Sequence, residues 1–161
     1  VTTSRDQLSC PTGRRPVQSP SRAGQLHQQL YVDLLGPWVR GRLTGATYIL
    51  ACQDASSYWL EAIPLSGATA PAVAQALEFE VFPQYGYPRA IHFNNGPLSQ
   101  PALFTQTSHL LGVTITNTEG HNVGGYKRRE AALQAMTNRL GIITGSDLTS
   151  WEDALPRALS A

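Results

Sequence analysis

A chain of 161 residues suits a single domain, because surface-to-volume scaling lets a domain of this size bury roughly two thirds of the surface its unfolded chain exposes. Only 14% of the residues are charged, against a typical value of roughly 25%, and the formal net charge is +1. That balance argues against a dedicated DNA-binding domain, whose affinity rests on many phosphate contacts from Lys and Arg. No apolar run approaches the roughly 20 residues of a membrane span, and no charged-then-apolar signal pattern opens the sequence. Two cysteines, Cys10 and Cys52, are too few for a disulfide framework. The expectation is a soluble intracellular protein, nuclear or cytoplasmic, with both thiols reduced and no membrane partner.

Residues 1 to 25 are rich in Pro, Ser, Gly and Arg and poor in large apolar side chains, so ordering them would cost more than burial returns. They read as a flexible basic linker or arm. Its first 24 residues set Arg5, Arg14, Arg15 and Arg22 against Asp6, a net +3, which leaves −2 for the rest. Residues 26 to 161 read as the folded domain.

In that domain, QLYVDLLGP (29–37), TYILACQDA (47–55) and YWLEAIPL (58–65) read as three strands of an antiparallel meander, with glycines in VRGRLTGA suited to a turn. A helix follows, with Thr69 as N-cap, Pro71 in its first turn and Val73, Leu77 and Val81 on one face. Pro83 and Gly86 are expected to end it. RAIHF (89–93) is a buried-strand candidate, and 101–112 a helix with Leu103, Leu110 and Leu111 inward. VTIT (113–116) is a further strand and EGHNVGG (119–125) a loop. Two helices close the chain: 126–140, with Leu133, Met136 and Leu140 at helical spacing, and 148–160, interrupted near Pro156. The order indicates an α/β domain with a mixed central sheet.

Three polar positions stand out. Asp33 lies in the middle of an apolar strand, and a buried carboxylate is costly unless it is hydrogen-bonded, paired or bound to metal. The plain alternative is an aspartate on the polar face of an edge strand. Asn94 ends a strand that can lie beside Asp33, and Glu130 opens a helix that can pack across the same sheet. Alone, none of the three is specific.

Together, YVDLLGP, YILACQDASSYWLEAIPL, VFPQYGYPRAIHFNNGP, HLLGV and a later Glu resemble the catalytic core of retroviral and retrotransposon integrases, over roughly residues 28 to 161. The tail TGSDLTSWEDALPRAL is most similar to the gammaretroviral branch. The resemblance implies an RNase H-like fold, a mixed five-stranded sheet flanked by helices. It implies a catalytic triad of two aspartates and a glutamate, the last two separated by thirty-five residues. Asn94 and Glu130 are likewise separated by thirty-five residues, which places Asp33, Asn94 and Glu130 on the triad.

In that family two hard Mg²⁺ or Mn²⁺ ions, clamped by carboxylates, activate the nucleophile and stabilise the leaving oxygen at a phosphodiester. Here the second aspartate is replaced by Asn94, which carries no negative charge. Asp33 and Glu130 are therefore expected to hold metal weakly or not at all, and no cofactor is expected. The gammaretroviral Pro-Gln-Ser-Ser-Gly-Gln-Val run before the glutamate is also replaced, by VGGYKRR, in which Lys127, Arg128 and Arg129 form a basic cluster. That cluster is either a phosphate contact or a solvated first helical turn. With Arg14 and Arg15 it makes the candidate nucleic-acid-binding set.

Cys10 has the place of the last ligand in a zinc-binding module that precedes such cores, but Gln7 stands where its partner cysteine would, so no zinc site is expected. His27, His92, His109 and His121 lack metal-ligand spacing, and Trp38, Trp59 and Trp151 read as packing residues. The resulting expectation is a catalytically inactive, domesticated integrase core serving protein association or weak nucleic-acid binding. A homodimer and other domains of a larger protein are the expected partners. The alternatives are residual metal-dependent strand transfer or nuclease activity, and a dedicated nucleic-acid-binding module.

Overall fold

A computed structural model describes residues 29–94, 100–117 and 123–160. The basic arm 1–25 with Arg14, Arg15 and Cys10, together with His27 and His121, lies outside the described residues. Five strands, β1 (Gln29–Leu35), β2 (Tyr48–Asp54), β3 (Leu60–Leu65), β4 (Ala90–Phe93) and β5 (Thr114–Asn117), form one sheet in the order β3-β2-β1-β4-β5. The first three pair antiparallel, as the meander reading expects, while β4 and β5 add in parallel beside β1. This is a mixed five-stranded sheet flanked by helices, the RNase H-like α/β arrangement.

β1 is the central strand, and this overturns the edge-strand alternative for Asp33. Its alternation sends Leu30, Val32 and Leu34 to one face, where they are buried. There they join Leu50, Cys52, Ile91 and Phe93 beneath helices α1 (Ala70–Ala76) and α3 (Pro101–Leu111). The opposite face carries a second core, in which Ile49 meets Met136 and Leu140 of α4 (Val123–Thr144) and Trp151, Leu155 and Ala158 of α5 (Trp151–Leu159). The sheet is thus covered on both sides, and any polar residue on β1 other than at its ends must lie under a helix.

Several local expectations hold and others need correction. Thr69 caps α1 by accepting from the Ala72 N–H, and Val73, Leu77 and Val81 are buried as one stripe. Pro83 does not end this helix. A π-helical turn over Leu77–Val81 leads into α2 (Phe82–Tyr85), where Pro83 sits in the first turn and its missing N–H costs little. Gly86, at φ +83°, makes the stop. In α3 the inward row is Leu103, Thr107 and Leu111, and Leu110 falls beside it, 57% exposed. Thr107 is tolerated there because its hydroxyl donates to the Leu103 carbonyl at 2.7 Å.

Trp59 is not a packing residue. It projects from the β2–β3 turn, 59% exposed, and its indole N–H donates to Glu61 Oε1 at 2.7 Å. Trp38 and Trp151 do pack on each other. Pro156 does not interrupt α5, because the missing N–H removes one bond from a helix already held down by Trp151, Leu155 and Ala158. Cys52 is a buried free thiol whose pKa burial drives far upward.

The β1–β2 connection is longer than a tight hairpin and is tied to α5 by Glu152. This carboxylate, only 5% exposed, accepts from the backbone N–H groups of Leu43 and Thr44 and from the Thr44 hydroxyl. Burial alone would raise the pKa of Glu152, but the Thr44 side chain and the N–H groups of Thr44, Leu43 and Ala46 outweigh it and hold the value down. Arg42 adds an exposed ion pair to Asp153 at 2.6 Å.

Candidate functional site

The parallel register of β1 and β4 pairs Val32 with Phe93, so the next residues, Asp33 and Asn94, lie side by side. The ladder continues one step, with the Asn94 N–H donating to the Val32 carbonyl at 3.1 Å. Asp33 points to the face under α4. Its Oδ2 accepts from the Asn94 side-chain Nδ2 at 3.1 Å, and its Oδ1 from the Leu34 N–H at 2.9 Å. Burial pushes the Asp33 carboxyl above the usual carboxylate range, and those two donors pull it only part of the way back.

Glu130 projects from the N-terminal half of α4 into the same space. Asp33, Asn94 and Glu130 line one cavity of about 210 Å³ between the sheet and α4, so the fold brings the three together. Arg129 lines it too. Its guanidinium carbon lies 3.5 Å from the centre of the Tyr31 ring, in cation–π contact, and Tyr31 also stacks on His92 at 5.0 Å. The His92 pKa is lowered, first by burial and then by the Arg129 charge, and its Nδ1 meets the Thr116 hydroxyl at 2.6 Å. Arg128 lies 4.7 Å from the Tyr58 ring centre, and Lys127 is exposed. Two of the three cations in the basic cluster therefore rest on tyrosine faces.

Sequence reading missed Tyr31, Gln53, Tyr126 and Gln134, which also line this cavity. The period-2 alternation that singles out Asp33 already puts Tyr31 on the same face, and the β1–β2 register then sets Gln53 directly opposite Tyr31.

A pair of hard divalent ions needs anionic oxygens converging from three sides. Among the described residues lining the cavity, Asp33 and Glu130 are the carboxylates, and the Asn94 amide presents an NH₂ group to Asp33. Arg129 adds a positive charge on the same wall. Among the described residues no group of three or more His, Cys, Asp or Glu is placed to hold a metal ion. This donor set does not fit the two-ion arrangement. No described helix is long and apolar enough to cross a membrane.

A five-stranded mixed sheet in the order β3-β2-β1-β4-β5 with helices on both faces has the RNase H-like α/β fold. Solved structures share this fold. The catalytic core domain of BIV integrase matches 83% of the chain with 81% of its own, at 22% identity and a TM-score of 0.60. A simian T-cell lymphotropic virus intasome, in complex with a PP2A regulatory subunit, matches 83% of the chain with 47% of its own at 16% identity and a TM-score of 0.59. No family model matches the sequence.

The chain is homologous to retroviral Pol and Gag-Pol polyproteins. It is 30% identical over 127 residues to the Gag-Pol polyprotein of Feline leukemia virus, and 29% over 124 residues to the Pol polyprotein of Radiation murine leukemia virus (strain Kaplan). Each match covers 75% of this chain, which spans only 7% and 21% of those two polyproteins.

Proposed function

We propose that this chain is an integrase-derived domain that has lost metal-dependent phosphoryl transfer and keeps the fold as a module for protein association and weak nucleic-acid contact. The observation that carries this reading is the hydrogen bond from the Asn94 amide to Asp33. A carboxylate at position 94 would repel Asp33 and call for a cation, whereas the amide satisfies Asp33 without one. On this reading the domain is a domesticated copy working inside the cell, similar to the integrase-like part of the vertebrate protein NYNRIN. Self-association uses exposed apolar side chains on its helices, such as Phe79 and Ile142. Nucleic acid is contacted by Lys127, Arg128 and Arg129, with Arg14 and Arg15 contributing from the arm.

The test is a melting series of the 161-residue protein in EDTA and in millimolar Mg²⁺ or Mn²⁺, with a parallel assay for cleavage of labelled duplex DNA. No metal-dependent rise in Tm and no cleavage are expected. The second reading, residual nuclease or strand transfer, draws on the convergence of Asp33, Asn94 and Glu130 on one cavity. Metal-dependent cleavage that vanishes in Asp33→Ala would establish it and overturn the first.

A further inference from the structure

One wall of the cavity beneath α4 holds a group that neither the fold nor the triad accounts for. Gln53 is 96% buried, as its 4% exposure implies, and its Nε2 donates to the Tyr58 carbonyl at 2.9 Å. That bond fixes the amide orientation and leaves Oε1 buried without a hydrogen-bond partner, although the residue lines the cavity. An unsatisfied buried acceptor is costly, and a ligand that donates to it removes the cost.

The rest of the lining says what kind of donor fits. Asp33 and Glu130 set two carboxylates against the single guanidinium of Arg129, which stays engaged on Tyr31, so the cavity favours one further positive charge. Leu35, Ala51, Leu60 and Leu133 form apolar walls between the polar groups, which suits a carbon stem and not a hydrated ion. Tyr31 pairs with Gln53 and Asp33 with Ala51, so Gln53 is diagonal to Asp33 on the same face of the sheet, with backbones typically about 7–8 Å apart and both side chains on the cavity lining. A planar fork with five N–H donors can address two such side chains at once. The cavity volume of about 210 Å³ is many times the roughly 10–15 Å³ that one water needs, enough for such a head group and a short alkyl chain.

We infer that the cavity between the sheet and α4 is a binding site for an alkylguanidinium group, with Gln53 Oε1 and the Asp33 carboxylate on the sheet as its acceptors and Glu130 on the facing helix. The inference deepens the proposed function, since it rests on the site holding no divalent metal. An arginine side chain of a partner polypeptide and a free guanidino compound present the same head group.

The test is a titration of the ¹⁵N-labelled 161-residue protein with n-butylguanidinium chloride at constant ionic strength, following the side-chain amide signals of Gln53 and Asn94. Saturable shifts of both pairs are expected, with weaker binding of n-butylammonium. Affinity should fall by about tenfold in the near-isosteric Asp33→Asn, and likewise in Gln53→Leu where that variant folds. Capped N-acetyl-arginine methylamide separates the sources: equal affinity supports a peptide-borne side chain, and binding of the free compound alone supports a small ligand. Non-saturating guanidinium shifts, or an affinity unchanged in Asp33→Asn, would overturn the inference and leave the proposed function standing. A saturable Mg²⁺ response in the wild-type spectrum would instead overturn the proposed function itself.

Discussion

Asn94→Asp changes one functional group at the centre of the site, and the geometry gives its cost. The substitution removes the 3.1 Å hydrogen bond to Asp33, worth about 1 kcal/mol, and sets a second carboxylate at that distance. Two unit charges about 4 Å apart at an effective dielectric of 20 repel by about 4 kcal/mol. The pair can escape part of this by sharing a proton, so a net loss of roughly 2–4 kcal/mol at pH 7 is expected. For a domain of this size that corresponds to a Tm about 5–15 °C lower.

The sign with pH follows from the direction of the shift. Asp33 already titrates above the ordinary carboxylate range because of burial, and a second carboxylate raises the pair further. A raised folded value contributes stability at low pH that is lost as pH rises through it. The deficit of Asn94→Asp relative to wild type should therefore be full at pH 7 and shrink as pH falls toward the ordinary carboxylate range. Divalent metal should also restore the variant, since a ligand at ten times its dissociation constant adds about 1.4 kcal/mol, while wild type responds little. Scanning calorimetry of both proteins between pH 4 and 8, with and without Mg²⁺, measures every term. A deficit independent of pH, or equal metal responses, would refute the pairing of residues 33 and 94 as the controlling contact.

Other consequences are accessible to simple measurements. Glu152→Gln should cost about 2 kcal/mol in urea unfolding, because it weakens a charge-assisted anchor to residues 43 and 44. With its folded pKa lowered, Glu152 contributes stability above the ordinary carboxylate range that is lost as pH falls below it, so wild type and variant should converge in acid. Gly41→Ala should destabilise far more than Gly67→Ala, since a Cβ at 41 would collide with the Glu152 carboxylate while one at 67 meets its nearest neighbour at 3.9 Å; melting curves of the two variants check this. Arg129→Gln should raise the His92 pKa in an NMR titration by removing a nearby positive charge, although burial will still hold it below the free value. Single-stranded oligonucleotide binding through Lys127, Arg128 and Arg129 with Arg14 and Arg15 should show a salt slope no steeper than about −3.5, from five charges at roughly 0.7 each, by fluorescence anisotropy.

Much of the fold was legible because one physical rule governs each element. Alternation along LYVDLL fixes which side chains of β1 enter which core, and the four-residue repeat of Val73, Leu77 and Val81 fixes the face of the helix after it. What failed were positions set by neighbours distant in sequence. Trp59 and Leu110 have the composition of core residues, but the sheet edge and the row chosen by Thr107 leave both in solvent. Pro83 and Pro156 carry breaker signals that a widened turn and a tertiary anchor override. At the site, the spacing of Asn94 and Glu130 located two of its walls. Gln53 comes from β2 and carries no local pattern of its own, while Tyr126 lies on α4 one turn before Glu130 and shares its helix face.

The same geometry accounts for a buried charge in the middle of the central strand. Both cores that hold the sheet, one under α1 and α3 and the other under α4 and α5, are apolar and complete without residues 33, 94 and 130. Those cores give the polar groups of the site no hydrogen-bond partners, so the site must satisfy itself. With an amide at 94, the Oδ2 of Asp33 has a donor and its Oδ1 has the next N–H of its own strand, so both carboxylate oxygens have protein partners. The acceptor left unsatisfied on this wall is Gln53 Oε1, one strand away and directly opposite Tyr31. The remaining demand of the cavity has thus moved from Asp33 on β1 toward Gln53 on β2, away from the position where metal chemistry would be performed and toward a place where a larger, multi-donor cation can be held.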